Sequence, residues 1–314
     1  MSHLNNQDGS ITVQDSVITV QDCIEEGAKL FEQNHLFFGH GTDNAADEAL
    51  WIVFFQLQLP WDSDTSVLQK QVADSDYKQI LSLFQRRVDE RIPVAYLTGE
   101  AWFAGYSFIV SSDVLIPRSP IAELINQGFS PWADGSDRGP LHILDLCTGS
   151  GCIGIASALA LPQASVTLSD ICPKALVVAK QNIQRYDLNQ RVKTVESDLF
   201  KQLANQRFDL IVSNPPYVDA ADFAAMPVEY QSEPELALVS GNDGLDFTRR
   251  LLNEAANYLT DEGVLICEVG NSWVHMESAF AQVPFLWLEF EQGGHGVFVI
   301  TRQELIEYQA AFVL

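Results

Sequence analysis

Positive charge is scarce in this chain. Lysine and arginine number 18 among 314 residues against 42 aspartates and glutamates, a formal net charge of −24. Such a surface repels phosphate backbones, which argues against a nucleic-acid-binding protein. The same acidity steers cationic partners inward, or it simply keeps the protein soluble; composition alone leaves both readings open. Long apolar runs are missing as well. The longest unbroken one, Leu50-Trp51-Ile52-Val53-Phe54-Phe55, falls far short of the ~20 residues that cross a bilayer. The opening stretch MSHLNNQDGS has no basic segment followed by an apolar one, so no secretory signal is read and the cytoplasm is the expected location. Cysteines are few and odd in number: Cys23, Cys147, Cys152, Cys172 and Cys267. None forms a C-x-x-C pair or has a histidine at metal-ligand spacing, so buried, reduced thiols are expected and no metal.

What is present is ordinary globular material, 47% hydrophobic and 19% charged, enough for one large or two modest domains. The first ~95 residues read as helical. Cys23–Phe31 has amphipathic spacing, Asn44 followed by Asp47 starts a helix ahead of Ala49–Leu59, and Asp76–Glu90 gives another. The segment ITVQD occurs at Ile11–Asp15 and again at Ile18–Asp22, too little for a repeat architecture. Pro93 closes the helical part. Ala95–Pro117 then reads as short β pieces around glycines, a linking hairpin. Beyond it strands alternate with helices. The strands are His142–Leu146, Val166–Ser169, Val192–Glu196, Leu210–Ser213, Val264–Glu268, Trp287–Phe290 and Val297–Thr301, with Lys174–Tyr186 the clearest helix. Seven strands with crossover helices predict a doubly wound α/β sheet. Only Glu291–Gly296 separates the last two, so they run antiparallel to each other.

Two stretches carry chemistry. HILDLCTGSGCIG, from His142 to Gly154, is a strand, a glycine turn and a helix start. Gly149 and Gly151 let the backbone turn sharply and approach a ligand. Asp170 ends the second strand, 19 residues after Gly151, where an acid grips a ribose diol. Asp198 ends the third. A cap on the following helix is the plainer reading of Asp170; three acids in register with the glycines favour an adenosyl ligand. The second stretch is Ser213-Asn214-Pro215-Pro216-Tyr217-Val218-Asp219, cutting off the fourth strand at the same edge. The prolines fix φ and remove two N–H groups, leaving rigid carbonyl acceptors beside the Asn214 amide. Convergent acceptors suit an NH₂ group held by both hydrogens, and Tyr217 offers a flat face to a planar partner. Gripping both hydrogens aims the nitrogen lone pair at an electrophile. In an adenosyl pocket without a phosphate cradle that electrophile is the methyl sulfonium of S-adenosylmethionine.

Together these motifs resemble the class I S-adenosylmethionine-dependent methyltransferases that carry an amino-methylating Asn-Pro-Pro-Tyr signature. The helical start, the hairpin with Phe103, Gly105 and Phe108, and VLIPRSPIAELI (Val114–Ile125) are similar to the protein N5-glutamine methyltransferases, as are Glu233–Leu238 and Gly241–Asp246. The resemblance implies a seven-stranded Rossmann-like sheet whose last strand is antiparallel. It also implies a helical substrate-recognition domain at 1–94, a hairpin linker at 95–118 and a methyltransferase domain at 119–314. It makes Asn214, Pro215, Pro216 and Tyr217 the catalytic residues. Asp145, Thr148, Gly149, Gly151, Asp170, Asp198, Leu199 and Asn214 would hold S-adenosylmethionine, released as S-adenosylhomocysteine, with no metal. Release-factor enzymes of the family carry Pro-Arg-Pro-x-Thr-Glu where this chain has Pro117-Arg118-Ser119-Pro120-Ile121-Ala122-Glu123. That form, with LFFGHGTDN (Leu36–Asn44), resembles the branch acting on the third large-subunit ribosomal protein. A basic ribosomal protein in free form is then the expected partner, with no stable nucleic-acid binding and no membrane. Release factors, or adenine N6 of a nucleic acid, are the alternative substrates. Arg118 and Glu123 are either site residues or an ion pair linking domains, and His40 is read as part of a turn into the next helix.

Overall fold

The computed structural model describes residues 17–133 and 139–313, so the first ITVQD copy lies outside the described residues. Two compact units make up the described chain, one from 17–36 and 44–89, the other from 37–43 and 90–313. The first unit is helical: α1 (Val20–Gln33), α2 (Ala45–Gln56) and α3 (Asp74–Glu90). The Thr19 hydroxyl and the Asp22 carboxylate form a capping box at the start of α1. Asn44 caps α2 by accepting from the Asp47 N–H at 2.9 Å. Phe31 meets Phe84 edge-on, and Gly27 leaves no room for a Cβ against Phe84 and Ala49, which is how the helices approach so closely. Arg87 and Glu48 are fully buried and paired at 2.8 Å inside this unit.

In the second unit, a short helix α4 (Val94–Thr98) occupies the start of the stretch expected to be β. Gly99 in the left-handed conformation ends it. Only β1 (Glu100–Phe103) and β2 (Tyr106–Ile109) form the hairpin, turning through Ala104 and Gly105, both at positive φ. After α5 (Ile121–Asn126) come β3 (His142–Leu146), α6 (Cys152–Ala160), β4 (Ser165–Asp170), α7 (Pro173–Arg185), β5 (Val192–Glu196) and β6 (Phe208–Ser213). Then follow α8 (Ala220–Ala225), α9 (Asp246–Glu254), β7 (Leu259–Glu268), α10 (Trp273–Ala279), β8 (Leu286–Trp287), β9 (Val297–Thr301) and α11 (Arg302–Glu307).

The seven-stranded sheet has the order β5-β4-β3-β6-β7-β9-β8. The first five are parallel, and β9 runs antiparallel to both β7 and β8. The strand expected at Trp287–Phe290 is two residues long and begins at Leu286. Strand alternation gives the sheet two apolar faces. Ile143, Val166, Leu168 and Val212 face α6 and α7, while Leu144, Leu146, Ile211 and Leu265 pack on the opposite side with Leu251 and Leu305. Strand order reverses between β3 and β6, and the crevice at that switch point is where this architecture accepts ligands. No helix among the described residues is long and apolar enough to cross a membrane.

Candidate active site

The glycine turn after β3 is held by carboxylates. Cys147, Gly149 and Gly151 all take positive φ. Asp145 lies beneath the turn, 1% exposed, accepting from Thr148 Oγ1 at 2.5 Å and from the Gly154 N–H at 2.9 Å. Burial pushes its carboxyl up to about 7, against the pull of those two bonds. Asp170 accepts from the Gly149 N–H at 2.9 Å and the Cys172 N–H at 2.8 Å. It therefore braces the turn and the start of α7 at once, and burial holds its carboxyl above the ordinary value. Asn182 of α7, fully buried, ties the turn to the hairpin by donating to the carbonyls of Ser150 and Ile109.

Two adjoining cavities open at the carboxyl ends of the strands. The first, ≈ 350 Å³, is walled by Thr148, Gly149, Asp170, Asp198, Leu199 and Asn214 among others. The Ser150 and Ser169 hydroxyls, both buried, reach this wall without a hydrogen-bond partner in the protein. Asp198 lies two residues beyond β5 rather than in it, paired with Lys201 at 2.6 Å and Arg250 at 2.7 Å. Those bonds, Lys201's first, keep its carboxylate below the usual range. The second cavity, ≈ 300 Å³, is walled by Pro215, Tyr217, Arg118, Glu268 and Tyr230 among others. Asn214 and Arg118 stand in both walls. Of the residues singled out from sequence, Asp145 and Gly151 reach neither wall and instead shape the turn from below. Pro216 faces the first cavity, Pro215 and Tyr217 the second.

The corner after β6 is fixed from the end of β7. The Tyr217 hydroxyl donates to Glu268 at 3.0 Å, and its carbonyl accepts from Ser272 Oγ at 2.7 Å. A Cβ on Gly270 would fall 2.5 Å from the Tyr217 ring, so glycine is required for this approach. Asn214 Oδ1 is buried and accepts no hydrogen bond. An asparagine side chain ordinarily turns back onto the N–H two residues ahead. Pro215 and Pro216 have no N–H to offer, so the acceptor stays open.

Arg118 does not pair with Glu123, correcting one reading of the sequence. It makes two 2.7 Å bonds to Glu233, which also accepts from the Ile116 N–H at 3.0 Å. Glu123 accepts instead from the Glu291 and Gln292 N–H groups. Burial alone would raise Glu233, but His40 and Arg118 hold it down at about 2. His40 lies in the bend ahead of α2 and is fully buried, its ring 4.4 Å from Tyr230 and its Nε2 3.6 Å from Glu233. Sequence reasoning passed over Glu268, Tyr230 and Arg250. Glu268 alone carried a signal: like Asp170, it is an acid at the carboxyl end of a parallel strand.

A switch-point crevice with a braced glycine turn on one side and an Asn-Pro-Pro-Tyr corner on the other defines a methyltransferase. Residues 137–229 match the methyltransferase small domain family. A ribosomal protein uL3 glutamine methyltransferase of Francisella tularensis subsp. tularensis is 46% identical over 279 residues, 89% of this chain and 88% of the relative. One from Xanthomonas campestris pv. campestris is 47% identical, covering 91% and 92%. Among solved structures, human methyltransferase 10 domain containing protein is 19% identical with a TM-score of 0.46, over 73% of this chain and 95% of that one. The chain belongs to the ribosomal protein uL3 glutamine methyltransferase family.

Proposed function

We propose that the protein transfers the methyl group of S-adenosylmethionine to the side-chain amide nitrogen, N5, of a glutamine in ribosomal protein uL3, releasing S-adenosylhomocysteine. The observation that carries this is Asn214 Oδ1, a buried acceptor without a partner in the wall shared by both cavities. Leaving such a group unpaired costs about 1–3 kcal/mol, so the site is complementary to a donor that arrives from outside. A glutamine amide brings two N–H donors on one planar nitrogen.

The first cavity suits the methyl donor. Thr148, Gly149, Asp170, Asp198 and Leu199 would hold it, and the Ser150 and Ser169 hydroxyls offer further unpaired groups. Asp145 and Gly151 act on the cofactor only through the turn they shape. S-adenosylmethionine supplies a methyl group activated by a positively charged sulfur. The amide enters by the second cavity, beside Tyr217. Asn214 accepts one amide hydrogen and the rigid carbonyl of Pro215 the other, which takes the lone pair out of conjugation and points it at the methyl carbon. As the N–C bond forms and the S–C bond breaks, the electron pair goes to sulfur and nitrogen gains positive charge, which these acceptors stabilise. The nitrogen then loses a proton, so no strong base is required. The N-terminal region, 1–94, supplies substrate recognition. The net charge of −24 draws in the free, basic ribosomal protein and disfavours nucleic acid and assembled, RNA-rich particles.

The test is incubation with labelled S-adenosylmethionine and ribosomal proteins from cells lacking the modification, followed by mapping of the product by mass spectrometry. A single methylated glutamine in uL3 is expected. Label in a release factor or in adenine, with none in uL3, overturns the reading.

A further inference from the structure

We propose that Glu268 and Ser119 are positioning residues for methyl transfer, holding Tyr217 in the orientation that receives the substrate amide. The proposal rests on the function given above and goes beyond it, since neither residue belongs to the Asn-Pro-Pro-Tyr corner. Three observations meet at Glu268. It is 4% exposed yet stands in the wall of the substrate-side cavity. One carboxylate oxygen accepts the Tyr217 hydroxyl at 3.0 Å, and the other accepts the Ser119 hydroxyl at 2.5 Å. The Tyr217 ring also packs against the bare backbone of Gly270. The ring is thus held by the end of β7, and Ser119, from the segment before α5, fixes the carboxylate that holds it.

The chemistry of that carboxylate is directional. An ionised carboxylate only accepts, so both hydroxyls must point their hydrogens at it, and each rotor is fixed. A protonated carboxyl carries a donor of its own, which competes for one of the two hydroxyl oxygens and releases the arrangement. Ser119 is also the position where this chain departs from the Pro-Arg-Pro-x-Thr-Glu stretch, in which a proline offers no hydroxyl. The Ser119 hydroxyl favours the ionised form of Glu268 and so keeps Tyr217 engaged. Burial opposes it, pushing the carboxyl up to about 7, and Arg118 in the same cavity adds a cationic pull toward the ionised state. Tyr217, Tyr230, Asp222 and His295 are the other titratable groups in that wall. The Tyr217 phenol itself is held far above its ordinary value by burial and by Glu268, so it stays protonated.

The experiment measures kcat, KM for uL3 and the Kd of S-adenosylhomocysteine for wild type, Glu268→Gln, Tyr217→Phe and the double variant. Each single variant is expected to lose about tenfold or more in kcat, because small displacements at a reacting centre are amplified. The cofactor Kd should stay within about twofold, since Glu268 and Tyr217 stand only in the wall of the second cavity. The double variant should be no slower than the slower single, as both break one interaction. Losses that multiply, or a Glu268→Gln enzyme with wild-type kcat, overturn the proposal. If Glu268→Gln does not fold, Ser119→Ala decides the matter through the pH profile of kcat. Activity should rise with pH through an inflection that moves upward in Ser119→Ala and remains in His295→Gln. An inflection unmoved by Ser119→Ala overturns the proposal. Wild-type protein that methylates no glutamine would instead remove the underlying function, a distinguishable outcome.

Discussion

The two cavities meet at Asn214 but are built from opposite materials. The first is built around a left-handed turn and strand ends, with Asp170 accepting from main-chain N–H groups. Much of its wall lies close in sequence, from Leu146 to Leu199, with further residues from 113–119 and 214–250. The second is walled by side chains brought from Arg118, Tyr217, Tyr230 and Glu268. On the proposed function, the contrast follows from what each would hold. A constant cofactor is recognised by a fixed backbone shape, whereas a protein side chain needs a pocket that tells one branch's substrate from another's. Two buried carboxylates behind the walls differ as well: burial raises Asp145, whose hydrogen-bond donors are neutral, while His40 and Arg118 lower Glu233 against its burial.

Asn214→Ala should break the comparison at its hinge, with the largest effect. Transfer should fall by about a thousandfold, the scale of a lost stabiliser at a developing charge. Calorimetry with S-adenosylhomocysteine should meanwhile show a Kd within about threefold of wild type. Equal losses in both would mean that Asn214 holds only the cofactor.

Asp145→Asn separates the two carboxylates by their pH behaviour. Because the folded protein holds a proton on Asp145 that the unfolded chain releases, Asp145 favours folding fully only below about 3.8. That contribution disappears as pH rises toward about 7. The interval is worth on the order of 4 kcal/mol. Denaturant titrations at several pH values should show a shallower decline in the variant, the remainder coming from Glu268 and Asp170. An unchanged slope would mean that Asp145 is ionised in the folded protein.

How far each region was legible in the sequence follows the same division. Periodicity gave β3, β5 and β9 at their observed bounds and the sheet class, because buried parallel strands read as apolar runs between punctuating turns. The glycine turn and the proline corner announced themselves because their backbone demands rare residues. Ala95–Thr98 misled: its apolar residues fit a strand, but packing and Gly99 make it helical. The Arg118–Glu233 and Ser119–Glu268 contacts span 115 and 149 residues, and no local pattern encodes a pairing of that range. The burial of His40 was hidden for the same reason, its partners Tyr230 and Glu233 lying far along the chain.

Glu233→Gln tests the charged side with a smaller effect. Removing one partner of a buried pair leaves Arg118 uncompensated, but that guanidinium is partly exposed, so about 2 kcal/mol of stability should be lost at neutral pH. Glu233 stabilises the fold above its ordinary carboxylate range, and this is lost as pH falls toward about 2. The difference between wild type and variant should therefore shrink on acidification, the reverse of Asp145→Asn.

The smallest effect concerns the approach to the two cavities. Raising salt from about 50 to about 300 mM should lower kcat/KM for free uL3 by roughly fivefold, as screening weakens the attraction between an acidic enzyme and a basic substrate. S-adenosylmethionine affinity should change by less than about twofold over the same range, because a small ligand inside a cavity does not depend on long-range attraction to the acidic surface. If both constants fell together, the acidic surface would be acting on the fold rather than on the encounter. If neither moved, the charge would serve solubility alone, and recognition of the substrate would rest on shape and on the Asn214 clamp.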